Sequence, residues 1–337
     1  MNTPVRFMTN EPITNDNNLN QLIIQWACTY LVSHGYKLKS DLPELVQDTP
    51  WSYVIRFVTY DGCVYLKHTP KLLALESEVI NILQDQFHAH VPKIIAKNDE
   101  LHCFLMKDAG KSLRSILKKK FSESLLCKTA TQFTSLQINI ADHIDVFLKI
   151  DVPDWRLNKI PDLYKQLLSQ KNLLIEDGLS EKEIKKLERL FPTVTELCNK
   201  LSNYSIKETI VQPDFNDNNT LIEDVSQVLT IIDLGEIAIS HPFFSLLNFL
   251  YQIQKHYGLT DKDNTYLTIK EACLHHFMRF ESRENVLHAL KLARPLWFIY
   301  GALAGYRLMI ACGKEKMMSF QHGKFIASLR DFMAECY

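Results

Sequence analysis

Glycine is scarce in this 337-residue chain: 10 residues, about 3%, where roughly 7% is usual. Neither G-x-G-x-x-G nor G-x-x-x-x-G-K-[ST] occurs, which excludes Rossmann dinucleotide enzymes and P-loop NTPases. Charge bias is missing too. Lys+Arg 38 against Asp+Glu 39 leaves a net charge of -1, so no bulk attraction to nucleic acid or to an anionic membrane is expected. The eight cysteines are widely scattered, with no C-x-x-C pair, which excludes redox and cysteine-rich zinc motifs and points to reduced thiols in a cytoplasmic protein. The first twenty residues lack an apolar core and carry Glu11 and Asp16, so no secretory signal is expected. The longest apolar run, Pro295 to Tyr306, is bounded by Arg294 and Arg307 and is too short to span a bilayer. Within it, Gly301-Ala-Leu-Ala-Gly305 is expected to serve the close packing of a buried helix.

What remains is an ordinary globular composition, 46% hydrophobic and 23% charged, in a chain long enough for two lobes. Apolar residues at helical spacing predict a helix over 19–34. From Ser52 to Lys67 the texture turns to Tyr, Val, Ile and Phe, broken by Asp61-Gly62, which predicts a β-hairpin whose second strand ends on Lys67. A helix over 73–84 carries Glu76 and Glu78 early, and two strands follow, Val91–Ile95 and Leu101–Met106. This order gives a small α+β lobe over 1–107, with a hinge at about 106–110. Residues 108–337 read as a mainly helical lobe containing a helical hairpin at about 155–205, where Ser180-Glu-Lys-Glu183 forms a capping box. Lys118-Lys119-Lys120 reads as a solvated helix end.

One β-rich island interrupts the helices. There Asp214 is followed five residues later by Asn219, and an apolar strand ends at Asp233, in Ile231-Ile-Asp233-Leu-Gly235-Glu236. An aspartate, an asparagine and a second aspartate delivered around one hairpin suit phosphoryl transfer. One carboxylate accepts the proton of an attacking hydroxyl, while the amide and the other carboxylate hold Mg²⁺ on nucleotide phosphates. Lys67 would meet the α- and β-phosphates and Glu76 would hold it, with Glu78 as the rival partner.

At these residues the chain resembles the aminoglycoside phosphotransferase family of the protein-kinase-like fold, which also includes choline, homoserine and fructosamine kinases. The family pattern H-G-D-x-x-x-x-N appears as Gln212-Pro-Asp214-x4-Asn219. Its I-I-D-[WF]-G-[DE] strand end appears as Ile231 to Glu236, and its later G-D-P-x-x-D-L as Ser240-His-Pro242-Phe-Phe-Ser245-Leu246. Upstream, Tyr65-Leu-Lys67, the helix from Glu76 and the hinge Phe104 to Gly110 match in order, so the likeness spans 50–250. The resemblance implies a two-lobed kinase-like fold and an ATP-dependent phosphotransferase acting on a small-molecule hydroxyl, aminoglycoside-, amino-alcohol- or sugar-like. Asp214 is then the base, Asn219 and Asp233 the Mg²⁺ ligands, Lys67 and Glu76 the phosphate grip, with adenine beneath Met106 and Asp108. Only seven residues separate Asp233 from His241, too few for the activation segment of a protein kinase. The chain departs from the pattern at Gln212, Pro213 and Ser245, and its phosphate-covering loop, about Gln47 to Ser52, has no glycine. Those departures motivate the alternative of a kinase-like nucleotide-binding module with impaired turnover. Asn218 stands where the family places glycine, and asparagine, which tolerates positive φ, is expected to supply that conformation.

Overall fold

The computed structural model describes residues 15–40, 42–223 and 226–336. Glu11, on which the expectation about a leader partly rests, lies outside them. In the N-terminal lobe, α1 (Asn15–Ser33) precedes β1 (Glu44–Thr49), β2 (Ser52–Thr59) and β3 (Gly62–His68). Then come α2 (Glu76–Phe87), β4 (Ile94–Asn98) and β5 (Cys103–Lys107). The strands form one antiparallel sheet in the order β1-β2-β3-β5-β4. The Asp61-Gly62 hairpin is present: Thr59 pairs with Gly62, which takes φ +114, a value that glycine alone adopts freely. The two faces of the sheet have different tasks. Ile55, Phe57, Val64 and Leu66 pack with Ile23, Ala27 and Leu31 of α1 into a small separate core. On α2, Val79, Ile80 and Leu83 join Phe104 and the main core of the second lobe.

Strand β1 corrects the sequence reading, which treated Gln47–Ser52 as a loop. Its side chains are mostly exposed, so it shows no period-2 apolar pattern. Backbone pairing to β2 makes it a strand. Beyond its turn, Trp51 crosses to the other lobe and packs edge-on against Phe320, ring centroids 5.2 Å apart.

The second lobe opens with β6 (Lys111–Ser112), α3 (Leu113–Leu117), α4 (Glu123–Ile140) and α5 (Asp145–Leu148). The predicted helical hairpin is instead four short helices: α6 (Ile160–Ser169), α7 (Lys171–Glu176), α8 (Glu181–Arg189) and α9 (Phe191–Leu201). The Ser180–Glu183 capping box opens α8 with both of its reciprocal bonds made. The β-island is β7 (Thr209–Val211), β8 (Thr220–Ile222), β9 (Leu229–Ile231) and β10 (Ala238–Ser240). These form two small sheets, β10-β7 and β6-β8-β9. The chain ends in α10 (Phe243–Tyr257), α11 (Asn264–Leu274), α12 (Arg283–Cys312), α13 (Lys314–Gln321) and α14 (Lys324–Cys336).

By length and composition α12 could cross a membrane. In the structure it packs against α6, α9, α10 and α14 as the central helix of the lobe. A Cβ on Gly305 would come 3.1 Å from the Phe325 Cβ, so its glycine permits the close approach of α14.

Gly110, at the hinge, has φ +104, and a Cβ built there would lie 2.1 Å from the carbonyl oxygen of Ile222. The next residue, Lys111, pairs with Ile222, so the backbone cannot move away without losing the β6–β8 pairing. Gly110→Ala is expected to lower stability by about 2 kcal/mol or more, through both the strained φ and the overlap. A urea-unfolding midpoint equal to that of the wild type would contradict this.

Candidate active site in the interlobe cleft

Strand alternation places the cleft residues. Lys67 and Tyr65 stand two apart on β3 and share one face, and Val54 of β2 pairs directly with Lys67. Met106 of β5 pairs with Tyr65. These residues line a cavity of about 290 Å³ between the lobes. Pro92, Leu221 and Ile232 add apolar wall, while Glu76, Asn219 and Asp233 add polar groups, a composition that suits a base-plus-phosphate ligand.

The Lys67 ammonium sits 2.7 Å from the Glu76 carboxylate and 2.6 Å from that of Asp233. Lys67 and Glu76 are 5% and 2% exposed. Burial alone would discharge Lys67, but Asp233 and Glu76 more than reverse this and raise its pKa, so it stays cationic. Burial pushes the Glu76 carboxyl up, and Lys67 pulls it back. The other Glu76 oxygen accepts the Leu234 amide at 3.0 Å, which ties α2 to the residue after Asp233. Glu78, the rival, points away and pairs with Lys97 at the surface.

Asp233 itself adopts φ +65, in the left-handed region that few non-glycine residues enter. Asn218 does not: the positive φ expected there is found at Asp233 instead. Asn218 is fixed by side-chain bonds, its amide donating to Asn216 Oδ1 at 2.7 Å and its Oδ1 accepting from Ser112. With the turn built on an Asn216 side chain, positive φ is not needed.

Asp214 lies outside the nucleotide cavity proper and is open to solvent. Its two oxygens accept from Asn216 Nδ2 at 2.8 Å and Asn219 Nδ2 at 2.9 Å. The protein around it disfavours its charge and the nearby Asp233 adds to this, so its pKa is raised despite those bonds and Arg114. Asn219 lines the cavity and spends its amide nitrogen on Asp214, which leaves its side-chain oxygen as the atom it could offer a cation. That oxygen and the Asp233 carboxylate are hard donors of the kind Mg²⁺ takes alongside phosphate oxygens and water. The residues therefore fit the metal.

Gln212 answers for the missing histidine. Its Nε2 donates to the carbonyls of Ile232 and Asp233 at 2.8 and 2.9 Å, linking the Asp214 loop to the Asp233 strand end. Ser245, which replaces an acid, bonds the Gln212 backbone reciprocally, accepting its N–H at 2.8 Å and donating to its carbonyl at 3.0 Å.

Sequence reasoning missed the clamp on the other side of this loop. Arg114 of α3 donates to the fully buried Asp217 through Nη2 at 2.7 Å and Nε at 3.0 Å, and the Tyr257 hydroxyl donates to the other Asp217 oxygen. Nothing in the local pattern pairs residue 114 with residue 217.

Asp108 is not among the residues that line the cavity. Lys107, Ala109 and Gly110 line the cavity, whereas the exposed Asp108 turns its carboxylate onto the Gly110 amide at 2.9 Å. It shapes the hinge turn instead. Glu236, just past the strand end, has its pKa pushed up to about 8 by burial and by Asp233 and Asp214, with Arg307 opposing.

No family model and no curated protein matches the sequence. The solved structures do. Plasmodium vivax ethanolamine kinase aligns over 98% of this chain and 96% of its own, at a TM-score of 0.61 and 12% identity. The chain has the fold of the aminoglycoside phosphotransferases and choline-kinase-like enzymes. The streptomycin-ATP-APH(2")-IIa ternary complex aligns over 93% and 99% of the two chains, at 16% identity and a TM-score of 0.56. Amicoumacin kinase hAmiN, in complex with AMP-PNP, Ca²⁺ and Ami, covers 94% and 95% at 12% identity and 0.57. The expected α+β, kinase-like fold with a small β-rich lobe and a large helical one is therefore present.

Proposed function

We propose that this protein is an ATP-dependent phosphotransferase that moves the γ-phosphate to a hydroxyl of a small molecule. One observation carries the reading: Lys67, paired with Glu76, reaches across the cleft to Asp233, and Asn219 joins Asp233 in lining the same cavity while bonded to Asp214. The fold neighbours support it, since they include ethanolamine and amicoumacin kinases and an aminoglycoside phosphotransferase bound to ATP.

In this reading Val54, Met106, Pro92, Leu221 and Ile232 enclose the base and Lys67 meets the α- and β-phosphates. Asn219 and Asp233 hold Mg²⁺, which supplies neutralisation of phosphate charge. Asp214 orients the acceptor hydroxyl and takes its proton as oxygen attacks the γ-phosphorus and the bond to the ADP oxygen breaks. A pKa raised above that of an ordinary aspartate improves the match of this base to neutral pH. All eight cysteines are free thiols, in keeping with a cytoplasmic setting.

The experiment measures Mg·ATP binding and γ-phosphate transfer separately, against a panel of alcohols. Binding together with transfer to at least one alcohol is expected. Binding without transfer to any member would favour the impaired module, although the bonds made by Gln212 and Ser245 hold the Asp214 loop as a working site needs.

A further inference from the structure

A second cavity, of about 320 Å³, lies between residues 151–155, α6, α12 and the segment before α2. Leu72, Trp155, Leu163, Leu303, Tyr306 and Ile310 give it an apolar wall. Its ionised groups are few: Asp151 at the edge and Arg307. Asp154, which stands nearby in sequence, is committed to Arg156 at 2.7 and 2.8 Å and does not line it.

Arg307 joins this cavity to the phosphoryl site. Its guanidinium donates to the carbonyls of Ile237 at 3.0 Å and Gly235 at 3.2 Å, four and two residues after Asp233. Two turns earlier on α12, the Tyr300 hydroxyl donates to the Val211 carbonyl, three residues before Asp214. The helix that forms one wall is thus bonded to β7, which leads to Asp214, and to the segment that follows Asp233. Leu72 and Ile310, 52% and 54% exposed, leave large apolar side chains at the rim where water would otherwise favour polar ones.

We infer that the acceptor is an alcohol with a sizeable apolar body and no more than one cationic group, its body seated in this second cavity. The inference rests on the phosphotransferase reading and narrows its substrate class. A polycationic aminoglycoside would meet one carboxylate, one guanidinium and an apolar wall, and its ammonium groups would lose hydration without gaining partners. An amphiphilic amino alcohol matches the wall with its body and Asp151 with its amine.

The test uses 2-amino-1-alkanols of two, six and ten carbons, with kanamycin A as the polycation, titrated calorimetrically into protein saturated with Mg·AMP-PNP. Affinity is expected to rise about two- to fourfold for each methylene the cavity covers. Ile310→Glu and Leu72→Glu, both at exposed positions, are expected to weaken the ten-carbon ligand at least tenfold and to leave AMP-PNP affinity unchanged. A flat chain-length series, kanamycin binding tighter than the ten-carbon alkanol, or rim variants without effect would each overturn the substrate class while the phosphotransferase reading stands. Failure of the wild type to bind AMP-PNP would overturn that reading, and this inference with it.

Discussion

Asp214→Ala is expected to cut phosphoryl transfer about 10²–10⁴-fold, the range found when a positioned proton acceptor is removed. The nucleotide should still bind within about twofold of the wild type. The split follows from the geometry. Asp214 does not line the nucleotide cavity, whereas Lys67, Asn219 and Asp233 do. Nor does the loop depend on the Asp214 carboxylate for its shape. Asn219 Nδ2 also donates to the Asp214 backbone carbonyl at 2.8 Å, and Asn216 Nδ2 to the same oxygen at 2.9 Å. Both bonds survive truncation to alanine, and Arg114 and Tyr257 still hold Asp217. A loss confined to kcat marks an interaction made with the reacting hydroxyl and not with the ground-state nucleotide. Turnover within threefold of the wild type would remove Asp214 from the mechanism.

The parts of this site that the sequence revealed are those tied to a short-range pattern. Lys67 closes a strand marked by Asp61-Gly62, Asp233 ends a continuous apolar run, and Asp214 and Asn219 keep a fixed spacing within one turn. Tyr65, Val54 and Met106 were also within reach, because alternation and direct cross-strand pairing from Lys67 lead to them. Other features depend on long-range contacts that no local pattern encodes. Glu76 and Glu78 are both acids in the first turn of α2, and only the docking of that helix under β3 turns one inward and leaves the other to Lys97. The Arg114–Asp217 clamp spans about a hundred residues. Strand β1 lacks an apolar face because its outer side meets solvent, and α6 and α7 read as one helix because the break at Gln170 carries no glycine or proline stop; at Leu190 the following Pro192, in the first turn of α9, did mark the break. Asn218 shows the limit of substituting one turn-former for another: the Asn216 side chain made the turn, and the strained backbone lay fifteen residues on, at Asp233.

Lys67→Met is expected to cost about 3–5 kcal/mol of stability near neutral pH, beyond any loss of nucleotide binding. The pair it breaks is almost wholly buried, so removing the ammonium strands the Glu76 carboxylate with one remaining bond, to the Leu234 amide. Asp233, the other partner, is part-exposed and can turn to water, so most of the cost falls on Glu76. The sign of the pH dependence follows. Burial already raises the Glu76 carboxyl, and without Lys67 nothing comparable opposes it. The folded protein then holds a proton on Glu76 over a range where the unfolded chain has released it, so stability falls as pH rises. The deficit of Lys67→Met should therefore be largest at pH 8 and should shrink as pH falls toward the ordinary carboxylate range, where both states bind the proton. Replacing both partners tests the cause. Lys67→Met/Glu76→Gln leaves no buried charge and is expected to recover at least half of the lost stability and to lose the pH dependence, while nucleotide affinity stays as low as in the single variant. A double variant less stable than Lys67→Met, or a deficit independent of pH, would mean that Lys67 stabilises the lobe through packing of its stem and not through its charge on Glu76.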